Sequence, residues 1–260
     1  MLLEINSTLL YKYDDPQALS VISYDKLNRL TYADYHNHRE AEDSWADPDF
    51  DESADYDANG NITNLSRMGF PDEKEGSTWI DVLALTYNGN QLKGVVDKEN
   101  DFTYMTTKNF IQFGDGESDY SYNANGALQT DANKGIVFID YDTYGYVSAI
   151  YFRNGSIIRY VHAPDGSKLQ TSYTSAVSHL VMPYGEPFVL APSQIQSVTT
   201  RDYWGDNIVC LDGVPTMFLF DGGYADIKGT ALTWHYYVTD HLGSKHIILD
   251  EQGKVEATYN

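Results

Sequence analysis

The sequence predicts an all-β protein: an antiparallel sheet of successive β-hairpins, curled into an open barrel or shell segment. Three observations predict it. A short phrase recurs along the chain, Asx-Gly pairs punctuate alternating apolar runs, and tyrosine outnumbers phenylalanine by 22 to 10.

The phrase is clearest at Tyr56-Asp57-Ala58-Asn59-Gly60-Asn61-Ile62. It returns as Tyr122-Asn123-Ala124-Asn125-Gly126-Ala127-Leu128 and as Tyr141-Asp142-Thr143-Tyr144-Gly145-Tyr146-Val147. Looser copies begin at Tyr24-Asp25 and at Leu249-Asp250, the latter turning at Gly253, and a shorter one runs from Tyr87 through Gly89 to Leu92. Starts from Tyr24 to Tyr141 lie 32, 31, 35 and 19 residues apart, and a further unit runs from Tyr160 to Leu169 through Asp165-Gly166. A period near twenty, with early copies degenerate or interrupted, marks a repeat array.

Each copy reads as an aromatic residue, a turn acid or amide, Gly or Asn three or four positions on, then an apolar residue. Asp and Asn bond their own backbone, and Gly takes positive φ without steric cost. Asx-Gly between apolar runs is a strong hairpin signal, and eight such pairs begin at Asn59, Asn88, Asp115, Asn125, Asn154, Asp165, Asp212 and Asp221. The flanking runs, such as Ile136 to Tyr141 and Val147 to Phe152, are β-branched and aromatic. One hairpin cannot bury its apolar face alone, so consecutive hairpins are expected to stack edge to edge.

Length and composition fit a single β domain over residues 1–260, with irregular insertions at about 34–55 and 182–197. The first insertion is acid-rich and reads as a solvated excursion. The second carries Pro183, Pro187 and Pro192, which bar central-strand pairing. A net charge of −21 argues against nucleic acid and anionic membranes as partners. Cys210, the single cysteine, sits in the apolar run Ile208 to Leu211 and reads as a buried thiol. No apolar stretch reaches the length of a membrane span, and the opening residues lack the pattern of a secretory signal. The pattern stops mid-repeat at Ala257-Thr258-Tyr259-Asn260, which reads as an excerpt of a larger protein.

The tyrosine–aspartate phrases resemble the YD repeats of the RHS (rearrangement hotspot) family. Tyr236-Tyr237-Val238-Thr239-Asp240-His241-Leu242-Gly243 closely resembles the opening of the RHS-associated core. The runs from Tyr203 to Ile208 and from Phe220 to Tyr224 are similar to the family's approach to that core. The resemblance implies a β-shell of hairpin strips, which in many bacterial members encloses a C-terminal toxin released by cleavage near Asp-Pro-x-Gly-Leu. Here Asp15-Pro16 and Asp47-Pro48 do not continue with Gly-Leu, so the segment is expected to be wall, without cleavage residues or cargo. The implied parent is secreted or displayed at the cell surface, and the implied partner is the remainder of the same polypeptide.

Sharper chemical readings are weighed against plain ones. Asp55-x-Asp57-x-Asn59-Gly60-x-Ile62 matches the start of a calcium loop, but its twelfth position is Ser66 rather than Glu, and the same residues serve as a repeat turn. His36, His38 and Glu40 alternate and would share one strand face, without a fourth ligand in view. No metal, cofactor or catalytic group is therefore assigned, and Asp240-His241 reads as turn chemistry. The leading expectation is a non-catalytic scaffold. The alternative is a carbohydrate-binding module that uses exposed aromatics such as Trp45, Trp79, Trp204 and Trp234. A cut strand edge leaves either a monomer or an edge-paired homodimer.

Overall fold

The protein is described by a computed structural model covering residues 3–5, 8–12, 18–39, 44–46, 51–69, 78–99, 109–205, 207–240 and 242–258. It is all-β and antiparallel, as the repeat predicts. Two compact units divide the chain, Met1–Gly135 and Ile136–Asn260.

The first unit contains β1 (Leu3–Ile5), β2 (Thr8–Lys12), β3 (Ala18–Tyr24), β4 (Leu30–Arg39), β5 (Ser44–Ala46), β6 (Glu52–Tyr56), β7 (Ile62–Gly69), β8 (Thr78–Asn88) and β9 (Gln91–Asp97). These form a nine-stranded sheet in the order β1-β2-β3-β4-β6-β7-β8-β9, with β5 hung on β4. β10 (Tyr120–Tyr122) and β11 (Leu128–Asp131) make a further hairpin in the same unit.

Among the described residues, the insertion expected at 34–55 is mostly strand, which corrects the reading of an excursion rather than a strand. β4 runs on to Arg39, pairs with β5 through His38↔Trp45, and then meets β6 through Tyr32↔Ser53. Acidic composition misled because an antiparallel strand needs only one apolar face, so polar residues belong on the other.

The second unit runs β12 (Ile136–Tyr141), β13 (Val147–Phe152), β14 (Ile157–His162), β15 (Lys168–Ala176), β16 (Ile195–Trp204), β17 (Ile208–Leu211), β18 (Val214–Phe220), β19 (Gly223–Lys228), β20 (Ala231–Thr239), β21 (Lys245–Leu249) and β22 (Val255–Thr258). From β12 to β22 each strand is antiparallel to the next in sequence order. Cys210 is fully buried on β17, as its apolar neighbours imply.

The proline-rich stretch after β15 stays out of the ladder until a 3-10 turn at Pro192–Gln194. Ile195 to Ser197, expected to be irregular, already belong to β16. The stretch nevertheless supplies core. Leu190 is buried with Val137, Ala149, Tyr151 and Ile157, and Leu180, Met182 and Phe188 pack against them. Phe188 meets Tyr151 edge-on at 5.3 Å. Each fully buried aliphatic side chain here contributes roughly 1.5–3 kcal/mol. Met182 N and Gly185 N donate to the carbonyls of Arg153 and Val137, tying the excursion to the strands that it covers.

The turns depart from the simplest hairpin in one respect. In the full phrase the Gly is not half of a two-residue turn. Gly60 N donates to Asp57 O and Asp57 N to Asn61 O, so a tight turn is followed by a glycine bulge, and the register slips between Asp55 and Tyr56. Gly60 has φ +91° there, a region from which a β-carbon is largely excluded. Two-residue loops do occur elsewhere, as at Asp212-Gly213 between the paired Leu211 and Val214.

Candidate functional site

An aspartate, or in one copy an asparagine, is the centre of each full phrase's turn. Asp25 Oδ1 accepts the amides of Leu27 and Arg29, and Asp57 Oδ1 those of Asn59 and Asn61. Asp142 does the same for Tyr144 and Tyr146, Asp240 for Leu242 and Ser244, and Asp250 for Gln252 and Lys254. Asn123 reproduces the pattern with an amide oxygen, accepting from Asn125 and Ala127. Where the first turn residue is Phe152 or Ala163, the cap moves two positions on, to Asn154 or Asp165. At Asp25, Asp57 and Asp240 such bonds favour the ionised form. The Arg29 amide holds the Asp25 carboxyl below its ordinary range. The Asn61 side chain does so for Asp57, and the Ser244 amide for Asp240.

The recurring tyrosine connects one hairpin to the one before it. Tyr56 Oη donates to Leu30 O at 2.7 Å, Tyr87 Oη to Ile62 O at 2.8 Å, and Tyr122 Oη to Leu92 O at 2.9 Å. Leu30, Ile62 and Leu92 are the apolar residues that close the preceding phrases. Two further links join neighbouring turns. Arg29 bonds its own Asp25 through Nε at 2.6 Å and reaches Asp57 O through Nη1 at 3.1 Å, with its guanidinium 4.6 Å above the Tyr56 ring. Asn61 Nδ2 donates to Asp57 Oδ2 and to Asn90 Oδ1.

Beside β9 and β10 this column opens into a groove of about 490 Å³ lined by Tyr87, Asn88, Gln91, Leu92, Lys93, Tyr120, Ser121 and Tyr122. Burial pushes the phenols of Tyr87, Tyr120 and Tyr122 up, so all three are neutral hydroxyls at physiological pH. A bracket of buried carboxylates holds the adjoining loop. Asp119, 1% exposed, accepts Val95 N and Asn133 Nδ2 on Oδ2 and Gly116 N on Oδ1. Asp81, fully buried, pairs with Arg67 Nε at 2.6 Å and accepts Phe110 N. Asp97 accepts Val82 N and Glu99 N, and burial raises its carboxyl. A β-carbon on Gly114 would stand 1.9 Å from Asp119 Oδ1, so the loop passes where only glycine fits.

In the second unit the phrase that resembles the RHS core is spread over β20 and its turn. Tyr236 packs edge-on against Phe220 at 6.0 Å, and Lys245 Nζ lies 3.8 Å over the Tyr237 ring. Tyr237 and Lys245 line a cavity of about 460 Å³ with Met217, Tyr224 and Ile248. Asp240 is spent on the turn that carries Leu242 and Gly243, and His241 lies outside the described residues.

Two of the residues weighed for calcium, Asp55 and Asp57, are engaged within the protein. Asp57 binds its own turn, and Asp55 Oδ2 accepts Asn64 Nδ2 at 3.3 Å. Among the described residues no three His, Cys, Asp or Glu side chains are placed to hold a metal. Glu40 and the side chains of His36, His38 and Trp45 fall outside the described part. Trp79 and Trp204 are exposed, whereas Trp234 is half-buried against Phe220.

Sequence reasoning found the turn aspartates and tyrosines but missed Asp81, Asp97, Asp119 and Asn133. No local signal marks these: Asp119 lies 24 residues from Val95, and Asp81 29 from Phe110.

No family model matches the chain, and no curated protein matches it. Solved structures do. The crystal structure of TcdB2-TccC3 without hypervariable C-terminal region is 12% identical at TM-score 0.49, over 98% of this chain and 13% of that one. That of TcdB2-TccC3-TEV is 12% identical at TM-score 0.38, over 94% and 14%. A chain of the Photorhabdus luminescens Tc holotoxin pore is 13% identical at TM-score 0.34, over 94% and 14%. This chain therefore spans only 13–14% of the length of those proteins. Superposition this loose carries no argument about function.

Proposed function

We propose that this chain is a non-catalytic wall segment, a hairpin scaffold that forms part of an RHS-type β-shell enclosing or displaying a C-terminal effector. The observation that carries the reading is the tyrosine ladder. Each of Tyr56, Tyr87 and Tyr122 binds the carbonyl that closes the preceding phrase, so three successive phrases of the first unit present the next with the same acceptor. A unit that hands on its own docking geometry suits an extended wall. Two of its buried acids support the same reading, because Asp81 and Asp119 accept backbone amides and so hold the adjoining loop. The likeness of Tyr236 to Gly243 to the RHS core supplies the family context.

Limited proteolysis of the complete polypeptide that carries this sequence tests the reading. The hairpins are expected to resist as one body and to shield a C-terminal segment. That segment becomes cleavable when Asp57→Ala and Asp142→Ala loosen the turns. Piecemeal digestion of native hairpins, or equal cleavage of the downstream segment with and without those substitutions, overturns it.

A second reading, carbohydrate binding, is favoured by the groove beside β9 and β10. Its volume lies in the usual range for ligand sites, roughly 300–1,000 Å³, and it combines tyrosine rings with Asn88, Gln91 and Lys93. A glycan array decides it: reproducible binding that Tyr120→Ala and Lys93→Ala abolish supports a module, and no binding rejects it.

A further inference from the structure

His235 lies on β20 with 7% of its surface exposed, and its two ring nitrogens meet different surroundings. Nδ1 is 2.5 Å from Glu256 Oε2 on β22, two strands away in the sheet. Nε2 makes no hydrogen bond, and Asp226 Oδ2 on the adjacent β19 stands 3.6 Å from it. Tyr224, the cross-strand partner of His235, stacks on the imidazole at 4.5 Å and 14°. The other charged and titratable groups around this corner are already engaged. Glu251, in the turn between β21 and β22, accepts Trp234 N at 3.2 Å. Lys245 on β21 sits over Tyr237, whose ring is 5.9 Å from Tyr224.

An ionised carboxylate only accepts, so the imidazole must carry its hydrogen on Nδ1 to satisfy Glu256. In the neutral ring Nε2 is then a buried lone pair facing the Asp226 carboxylate, an arrangement with no donor. In the imidazolium Nδ1 donates to Glu256, and the protonated Nε2 pairs its charge with the Asp226 carboxylate 3.6 Å away. We infer that His235 is a protonation-dependent clamp across the last strands of the second unit, its imidazolium joining β19, β20 and β22 through Asp226 and Glu256. Loss of the Nε2 proton removes the Asp226 arm and reduces the Glu256 arm from an ion pair to a hydrogen bond from a neutral ring. The hairpin of β21 and β22 is held more loosely as a result. The device is mechanical: it sets how readily the terminal hairpin opens as the surroundings acidify.

Amide hydrogen exchange of the full chain, corrected for intrinsic rates, tests this across the range in which an imidazole changes charge, about pH 5–8. Amides of Ile247 to Thr258 are expected to lose roughly two- to fivefold in protection at the upper end, the loss of a partly exposed ion pair. Asp226→Asn supplies an N–H donor to the neutral Nε2, so that variant should keep its protection at the upper pH and respond little. His246→Gln should leave the response intact, because the His246–Asp240 contact of 3.4 Å lies outside the clamp. Equal protection of the native chain at both ends, or an unchanged response in Asp226→Asn, overturns the clamp. Loss of the response in His246→Gln assigns it to the other histidine and equally overturns it.

Discussion

The hydroxyl of Tyr122 donates to the carbonyl of Leu92 at 2.9 Å, although the two residues stand 30 positions apart and belong to different hairpins. Among the described residues β9 and β10 share no ladder, and this bond, with that of Val95 N to Asp119 Oδ2, links the two. Tyr87 on Ile62 and Tyr56 on Leu30 repeat it.

Removing the hydroxyl alone should therefore be costly at all three positions. Tyr56→Phe, Tyr87→Phe and Tyr122→Phe are each expected to destabilise by roughly 0.5–1.5 kcal/mol, because a half-buried carbonyl loses its donor while the ring stays packed. Urea unfolding measures it. Three variants with the parent's midpoint and slope would reduce the ladder to incidental contact.

Backbone conformation gives a second test. Gly60, Gly126 and Gly145 have φ of +91°, +79° and +86°, so Gly→Val at any of them should cost more than about 1 kcal/mol. Gly114→Ala should be worse than its φ alone implies, because the new methyl collides with Asp119. Thermal melts of the four variants that match the parent would mean that the turns are placed wrongly.

The turn acids make the fold sensitive to acid. The carboxyls of Asp25, Asp57 and Asp240 lie below their ordinary range in the folded chain, so the stability that they contribute is complete above about pH 4 and is lost as pH falls through the folded values. Asp97 acts in the opposite sense, because burial raises its carboxyl and favours the protonated form. Asp57→Asn keeps the acceptor, as Asn123 does naturally, and should flatten the acid limb with little loss at neutral pH. Asp57→Ala should destabilise throughout. Melting temperatures from pH 7 to pH 3 separate the two, and identical profiles for Asn and Ala would sink the capping role.

Edge pairing is open to a solution test. β22 is the last strand of its sheet, paired on one side with β21 among the described residues. Two chains of charge −21 repel at low salt, and screening shortens that repulsion to about 8 Å at physiological ionic strength. A homodimer joined along this edge should strengthen as salt rises. Sedimentation as a monomer at both salt extremes and high concentration excludes it.

Much of the architecture was legible in the chain because its determinants are local. Asp57 caps amides two and four residues away, and the bulge glycine follows within the same phrase, so the residues that specify the turn are also those that form it. The error at 34–55 came from treating acidity as a sign of loop, when strand pairing tolerates a polar face.

By itself, then, the sequence determined the all-β class, the hairpin units and their capped turns, since each hairpin is nucleated by a turn whose caps span four residues or fewer. Tertiary structure alone decided which carbonyl each tyrosine reaches, how Leu190 returns to cover Tyr151, and why Asp81, Asp97 and Asp119 are buried. It also decided that His235 stands between two acids drawn from different strands. Those relationships join residues on different strands or loops, from 9 positions apart (Asp226 and His235) to 39 (Tyr151 and Leu190). Chain spacing carries no information about such partners until the sheet has set its register.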